Sequence, residues 1–107
     1  MQQRALFVRH RTKPGMRPRM QAIWAEYVKP RVEANSDHLA YFFCLDAQDE
    51  DVVSVFQLFR TAEAVQAFMA GAWYPEYLAA VSEVVMEAPV ILEANPSWIK
   101  GLAAETN

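Results

Sequence analysis

Apolar positions along the chain form short segments, and several of them have the length and flanking residues of β-strands. Ala5–Thr12 and Leu39–Leu45 are bounded by turn-forming residues, and Val52–Phe59 is a third segment of this kind. The second and third segments are joined by a short polar connection, which predicts a β-hairpin over residues 39–59. A last strand is expected at Pro89–Ala94.

A helix is predicted between the first two strands. It should begin near Arg17, with Pro18 in the first turn, where proline is tolerated. Its apolar residues recur with the spacing of one buried helix face. They are Met20, Ile23, Trp24, Tyr27 and Val28. Pro30 lacks an amide hydrogen and would clash with the carbonyl group of Glu26, so the helix should stop or kink there.

A second helical segment is expected to be broken in two. A short helix over Ala62–Ala70 is followed by Gly71, and a further helix should run from Pro75 to about Glu87. The order of elements is then β-α-β-β-α-β, the ferredoxin-like pattern of a four-stranded antiparallel sheet with helices on one face. We therefore expect an α+β fold in one domain over residues 1–107, with a core at about 5–94 and a C-terminal tail at 95–107.

The two hairpin strands do not alternate between apolar and polar residues. A sheet that is covered by helices on one face and by water on the other should alternate. The segments Leu39–Leu45 and Val52–Phe59 are instead apolar at most positions, which indicates that both faces of the hairpin are buried. Since the helices cover only one face, we expect a homodimer in which a second copy covers the other face.

Composition narrows the class of protein and of partner. Hydrophobic residues make up 53% of the 107 residues and charged residues 21%, which is typical of a globular domain. No apolar run approaches the roughly 20 residues of a membrane-spanning helix, and residues 1–9 do not resemble a signal peptide, so no membrane partner and a cytoplasmic location are expected.

The single cysteine, Cys44, allows no internal disulfide. Basic residues are concentrated in residues 1–31 but scattered there, so nucleic acid is not an expected partner.

Three segments carry a resemblance to a known family. Phe7–Gly15 (FVRHRTKPG) resembles the first strand and turn of antibiotic-biosynthesis-monooxygenase (ABM) proteins, and Phe56–Phe68 resembles their third strand and the helix after it. The tyrosine-rich segment Trp73–Val81 is similar to their last helix. The resemblance covers about residues 5–93.

This resemblance implies a dimeric α/β barrel, in which two ferredoxin-like sheets pack face to face and each subunit keeps a pocket between its sheet and its helices. Enzymes of the family oxygenate aromatic polyketides or quinols without a metal or an organic cofactor, so neither is expected here. Where the family often has Glu and Trp on the third strand, this chain has Gln57 and Phe59, and Phe68 stands where His or Trp is common. The last helix lacks the histidine of haem-degrading relatives, which argues against haem degradation as the activity.

Two functions remain open. One is a cofactor-independent monooxygenase that acts on a small hydroxylated aromatic or a quinol in the pocket between sheet and helices. The other is a non-catalytic protein of the same fold that binds a small molecule or serves in assembly, which the loss of family acid–base residues at Gln57 and Phe68 favours.

Oxygenation of a phenolic substrate needs a group that takes or holds a proton, a group that stabilises an oxyanion, and a pocket that excludes water. The candidates for catalytic groups are Arg9, Gln57 and Tyr74. The candidates for substrate binding are Arg11, Trp24, Tyr41, Phe68, Trp73 and Tyr77. Aromatic residues suit an aromatic ligand, although core packing explains Trp24 and Tyr27 equally well because both lie on the apolar stripe of the first helix.

Arg9 and Arg11 point to the same face of the first strand, because they are two residues apart. If that face lines the pocket, they could hold an anionic oxygen; otherwise they would pair with acids such as Glu93. His10 faces the other way, and His38 begins the second strand. Neither histidine has a spaced partner that would form a catalytic or metal site, so both are expected to be structural or exposed.

Overall fold

The computed structural model describes residues 2–101 and has the expected order of elements. The strands are β1 (Arg4–Arg11), β2 (His38–Leu45), β3 (Val52–Phe59) and β4 (Val90–Ala94), and the helices are α1 (Arg17–Tyr27), α2 (Lys29–Ala34), α3 (Ala62–Met69) and α4 (Trp73–Ser82). The four strands form one antiparallel sheet in the order β2-β3-β1-β4. This confirms the α+β, ferredoxin-like fold.

The register of the sheet decides which side chains share a face. Val8 on β1 lies opposite Val55 on β3 and Ile91 on β4, and Phe7 lies opposite Phe56 and Leu92. Because side chains alternate along a strand, the even-numbered residues of β1 share one face and the odd-numbered residues share the other. The first of these faces packs against the helices.

The core lies between that face and the helices. One buried cluster joins Met20 and Ile23 of α1 to Val53 and Val55 of β3 and to Val81 of α4. A smaller cluster packs α3 against the sheet through Leu6, Phe59, Ala64 and Val65. Burying each such side chain stabilises the fold by roughly 1.5–3 kcal/mol.

The helical segments differ from expectation at two places. Helix α1 ends at Tyr27, before Pro30, and α2 begins at Lys29. Pro30 therefore sits in the first turn of α2, where its missing amide hydrogen is not needed. Helix α4 begins at Trp73 rather than at Pro75 and ends at Ser82 rather than near Glu87. Residues 83–86 do not continue the helix because their backbone forms hydrogen bonds with residues at the end of β1. Lys13 N–H donates to Val84 O and Met86 N–H donates to Arg11 O, both at 2.8 Å.

The other face of the sheet carries exposed apolar side chains. Phe42 and Leu92 are each 60% exposed and Phe56 is 41% exposed, and Phe7 packs edge-on against Phe56 with the ring centroids 5.7 Å apart. We call this surface the outer sheet face. No helix within residues 2–101 covers these side chains.

Candidate functional site

A pocket of about 280 Å³ lies between the sheet and the helices. Most of its wall is apolar, with polar atoms from a histidine, three tyrosines and a glutamine. The lining residues used below are His10, Tyr41, Gln57, Phe68, Tyr74 and Tyr77. A mainly apolar cavity with a few convergent polar groups is typical of a small-molecule site, and this volume favours a small ligand.

Tyr41 and Gln57 form one polar wall of the pocket. They lie directly opposite each other on β2 and β3, so their side chains share a face. The indole Nε1–H of Trp24 donates a hydrogen bond of 2.9 Å to the Tyr41 hydroxyl oxygen. The Tyr41 hydroxyl donates no hydrogen bond within residues 2–101, which leaves its proton available to a ligand.

Helix α4 supplies two more tyrosines. Tyr74 and Tyr77 lie with their ring centroids 6.2 Å apart, and neither hydroxyl makes a hydrogen bond within the part of the chain that the structure describes. Burial raises the pKa of Tyr41, Tyr74 and Tyr77 above the usual value of a phenol. All three therefore stay protonated near neutral pH, and they can donate hydrogen bonds but cannot act as bases.

His10 is the one group in the pocket suited to accept a proton. It is only 5% exposed, and its Nδ1 is buried with no hydrogen-bond partner in residues 2–101. Burial lowers the pKa of His10 from 6.5 to about 4, so the imidazole is neutral at pH 7. Whichever tautomer is present, a neutral imidazole keeps one ring nitrogen whose lone pair can accept a proton.

The expectation of a structural or exposed role for His10 therefore misses a pocket residue. Strand parity groups His10 with Leu6 and Val8, which also line the pocket, but parity alone does not tell which face of β1 meets the helices. His38, in contrast, lies behind the pocket wall. Its ring packs against Phe59 and Phe68, and its Nε2 lies 2.9 Å from Gln57 Oε1.

Arg9 and Arg11 do not reach the pocket within this chain. The expectation depended on their face lining the pocket, but they lie on the outer sheet face because they have the parity of Phe7. Arg9 is exposed, and Arg11 forms a 2.8 Å ion pair with Asp49. Glu93 pairs with Arg4 instead, at 2.9 Å.

Of the remaining candidates, three line the pocket and one does not. Phe68, Trp73 and Tyr77 contribute to its wall, and the Phe68 and Trp73 rings meet edge-on at 5.1 Å. Trp24 lies behind Tyr41 and stacks on Phe43 with the ring centroids 4.3 Å apart, so it supports the wall rather than touching the cavity.

The structure offers no metal centre in the part it describes: residues 2–101 hold no cluster of three or more side chains of the types that bind metals. Among the described helices, none is both long and apolar enough to cross a membrane.

Solved structures share this fold over nearly the whole chain. No family model and no curated protein matches the sequence. A protein of unknown function from Nitrosomonas europaea is 25% identical with a TM-score of 0.78, and the match covers 97% of this chain and 98% of that one. A "putative antibiotic biosynthesis monooxygenase" from Caulobacter crescentus gives a TM-score of 0.82 at 17% identity, covering 91% and 92% of the two chains. A Mycobacterium tuberculosis protein gives 0.81 at 19% identity, covering 92% and 99%. The chain is thus ABM-like in its fold.

Proposed function

We propose that this ABM-like chain is a cofactor-independent monooxygenase that oxidises a small hydroxylated aromatic or quinol, with His10 as the proton acceptor. The observation that carries the proposal is the imidazole of His10, which lines a pocket whose other polar groups can donate hydrogen bonds. A neutral base and neutral donors in the lining of one apolar cavity are what deprotonation of a phenol requires.

The pKa of His10 is low in the ligand-free protein, where no opposite charge in the pocket stabilises the imidazolium. When the imidazole takes a proton from a bound phenol, an imidazolium and a phenolate form side by side. Each charge stabilises the other in the low-dielectric pocket, and this raises the proton affinity of His10 at the moment it is needed. His10 is therefore a competent base toward the ligand while it stays uncharged in the empty protein.

The tyrosine hydroxyls would hold the oxyanion. Tyr41 and Tyr74 keep their protons, because burial raises the pKa of each. They can donate hydrogen bonds to a phenolate oxygen, and such charge-assisted bonds are stronger than neutral ones. Tyr74 and Gln57 stay among the proposed catalytic groups. The tyrosines take the oxyanion-holding role expected of Arg9, and His10 is added as the proton acceptor.

The substrate anion supplies the electrons of the reaction. With an anthrone, whose reacting carbon is a CH2 group, that carbon of the anion adds to dioxygen and, with the proton returned by the base, forms a hydroperoxide. Loss of water from the hydroperoxide breaks the O–O bond and leaves the new carbonyl group. The carbon thus gives four electrons to one dioxygen molecule, and the reaction balances without a cofactor. The apolar wall keeps bulk water away from the reactive intermediate.

We also propose that the functional unit is a homodimer joined through the outer sheet face. Phe42, Phe56 and Leu92 give this face exposed aromatic and aliphatic surface at the centre of the sheet and on both sides of it. Apolar patches of this kind mark association surfaces, and a second copy of the same face is self-complementary under two-fold symmetry.

Oxygen uptake tests the enzymatic proposal. Metal-free protein is offered a panel of anthrones, quinols and catechols, with heat-denatured protein to measure autoxidation. We expect turnover that falls about 10²–10⁴-fold in His10→Phe and in His10→Gln, because both variants lack the base. Glu63→Gln, an exposed change in the first turn of α3, should keep the wild-type rate. Equal rates in wild-type protein and the His10 variants would contradict the role of His10.

The alternative is a binding or assembly protein of the same fold. Gln57 and Phe68 support it, because neither side chain can exchange a proton. Saturable binding of a phenol without oxygen uptake across the panel would favour this alternative over the monooxygenase.

A further inference from the structure

A chain of hydrogen bonds runs from the backbone at the start of β2 to the pocket wall. Its first member is the backbone N–H of Asp37, which donates to Asn35 Oδ1 at 3.2 Å. A backbone N–H can only donate, so this bond determines which way the Asn35 amide faces. The Asn35 Nδ2 group is thereby directed at His38.

The second step determines the tautomer of His38. Asn35 Nδ2 lies 2.9 Å from His38 Nδ1, and the amide nitrogen must be the donor. Nδ1 therefore carries no hydrogen, and the neutral imidazole has its hydrogen on Nε2. A proton on Nδ1 would bring two donors face to face, and burial also lowers the pKa of His38.

The third step determines the orientation of Gln57. His38 Nε2–H donates to Gln57 Oε1 at 2.9 Å, so the amide oxygen is held by the histidine. The Gln57 Nε2 group makes no hydrogen bond within residues 2–101 and belongs to a side chain that lines the pocket. Tyr41 lies directly opposite and accepts a hydrogen bond from Trp24, so its hydroxyl also has a proton to donate.

We infer that Asn35 and His38 are positioning residues that make Gln57 a hydrogen-bond donor, and that the pocket therefore selects a ligand with a carbonyl or phenolate oxygen facing β2 and β3. The inference deepens the proposed function by naming the polarity of its substrate. A hydroxyaryl ketone places such an acceptor there before any proton moves. A simple catechol presents hydroxyl oxygens, which are weaker acceptors until one of them ionises.

The first test is the tautomer of His38, read by nitrogen-15 NMR of the ligand-free protein. With only two histidines, the His10→Phe variant assigns both rings. We expect a hydrogen on Nε2 and a bare Nδ1 in the wild type. In Asn35→Asp the second carboxylate oxygen faces Nδ1, so the neutral ring should hold its hydrogen on Nδ1. Ser36→Asp adds a charge at a neighbouring exposed position without joining the chain of hydrogen bonds and should keep the wild-type tautomer. A hydrogen on Nδ1 in the wild type would overturn the inference.

The second test measures the polarity of the wall with 4-nitrophenol, whose phenolate is followed by absorbance at saturating protein. We expect the pKa of the bound probe to be about one unit higher in Gln57→Leu than in the wild type, since one charge-assisted hydrogen bond is lost. Asn35→Asp should also raise the pKa of the bound probe, at a pH where His38 of the variant is neutral. Ser36→Asp should leave the pKa of the bound probe unchanged. The same probe pKa in all four proteins would refute the donor role. Since the probe need not be oxidised, this result is independent of whether oxygen uptake is found.

Discussion

The indole Nε1–H of Trp24 donates a hydrogen bond of 2.9 Å to the hydroxyl oxygen of Tyr41. One residue belongs to α1 and the other to β2, so the bond links the helical layer to the sheet at the pocket wall. It also directs the chemistry of Tyr41, because an oxygen that accepts from Trp24 keeps its own proton for the ligand.

The bond should be visible as an energetic coupling between the two residues. Trp24→Phe keeps a ring against Phe43 but removes the donor, and Tyr41→Phe removes the acceptor. We expect a double-mutant cycle, followed by circular dichroism in urea, to give a coupling of about 1 kcal/mol. Strictly additive changes in the free energy of unfolding would show that the bond does not contribute to stability.

The stability of the protein should fall in mildly acidic solution because of His10. The unfolded chain binds a proton at this residue near pH 6.5, whereas the folded protein does so only near pH 4. Between these values the unfolded state holds more protons, so the free energy of unfolding decreases as the pH falls through this window. The total loss is about 3 kcal/mol, complete once the pH is below 4.

The His10→Phe variant isolates this effect. His38 also has a lowered pKa and contributes in the same direction, but it is present in both proteins. Urea unfolding between pH 7 and pH 4 should therefore give a flatter profile for the variant than for the wild type. Parallel profiles would mean that His10 is not buried as a neutral ring.

Charge on the outer sheet face should break the proposed dimer. Phe56→Asp would bring two carboxylates into an apolar contact, where burial of an unpaired charge is strongly unfavourable. We expect light scattering at micromolar concentration to give the mass of a dimer for the wild type and of a monomer for the variant. Met86→Asp is the matched control, because Met86 is 59% exposed but lies outside the sheet. A wild type that is already monomeric would contradict the proposal.

Local patterns predicted the fold well because each element carries its own signal. Short apolar segments with flanking turn residues marked the strands, and the i, i+3, i+4 spacing marked the buried face of α1. The end of α4 was missed because residues 83–86 are apolar enough to extend a helix. The hydrogen bonds that end the helix, from Lys13 N–H to Val84 O and from Met86 N–H to Arg11 O, join segments that are distant in sequence.

The pocket was predicted in part. Tyr41, Gln57, Phe68, Trp73, Tyr74 and Tyr77 all line it. Parity along β1 separates Arg9 from His10, but parity alone does not say which face meets the helices. The outer sheet face is apolar too, and Phe7 on that face makes the side of β1 that carries Arg9 resemble the core-facing side. The series of hydrogen bonds from Asn35 through His38 to Gln57 forms where a turn and two strands meet, and no spacing in the sequence reveals this.

The parity of β1 gives this small fold an unusual sensitivity to the length of its chain. A single residue inserted or deleted within β1 ahead of His10, with the pairing of the preceding residues to β3 kept, would turn the imidazole outward and carry a guanidinium from Arg9 or Arg11 into an apolar cavity. Such a change would replace a base by a permanent cation. One-residue differences in this strand among proteins of this fold should therefore separate groups with different pocket chemistry, even where every aromatic residue of the pocket is retained.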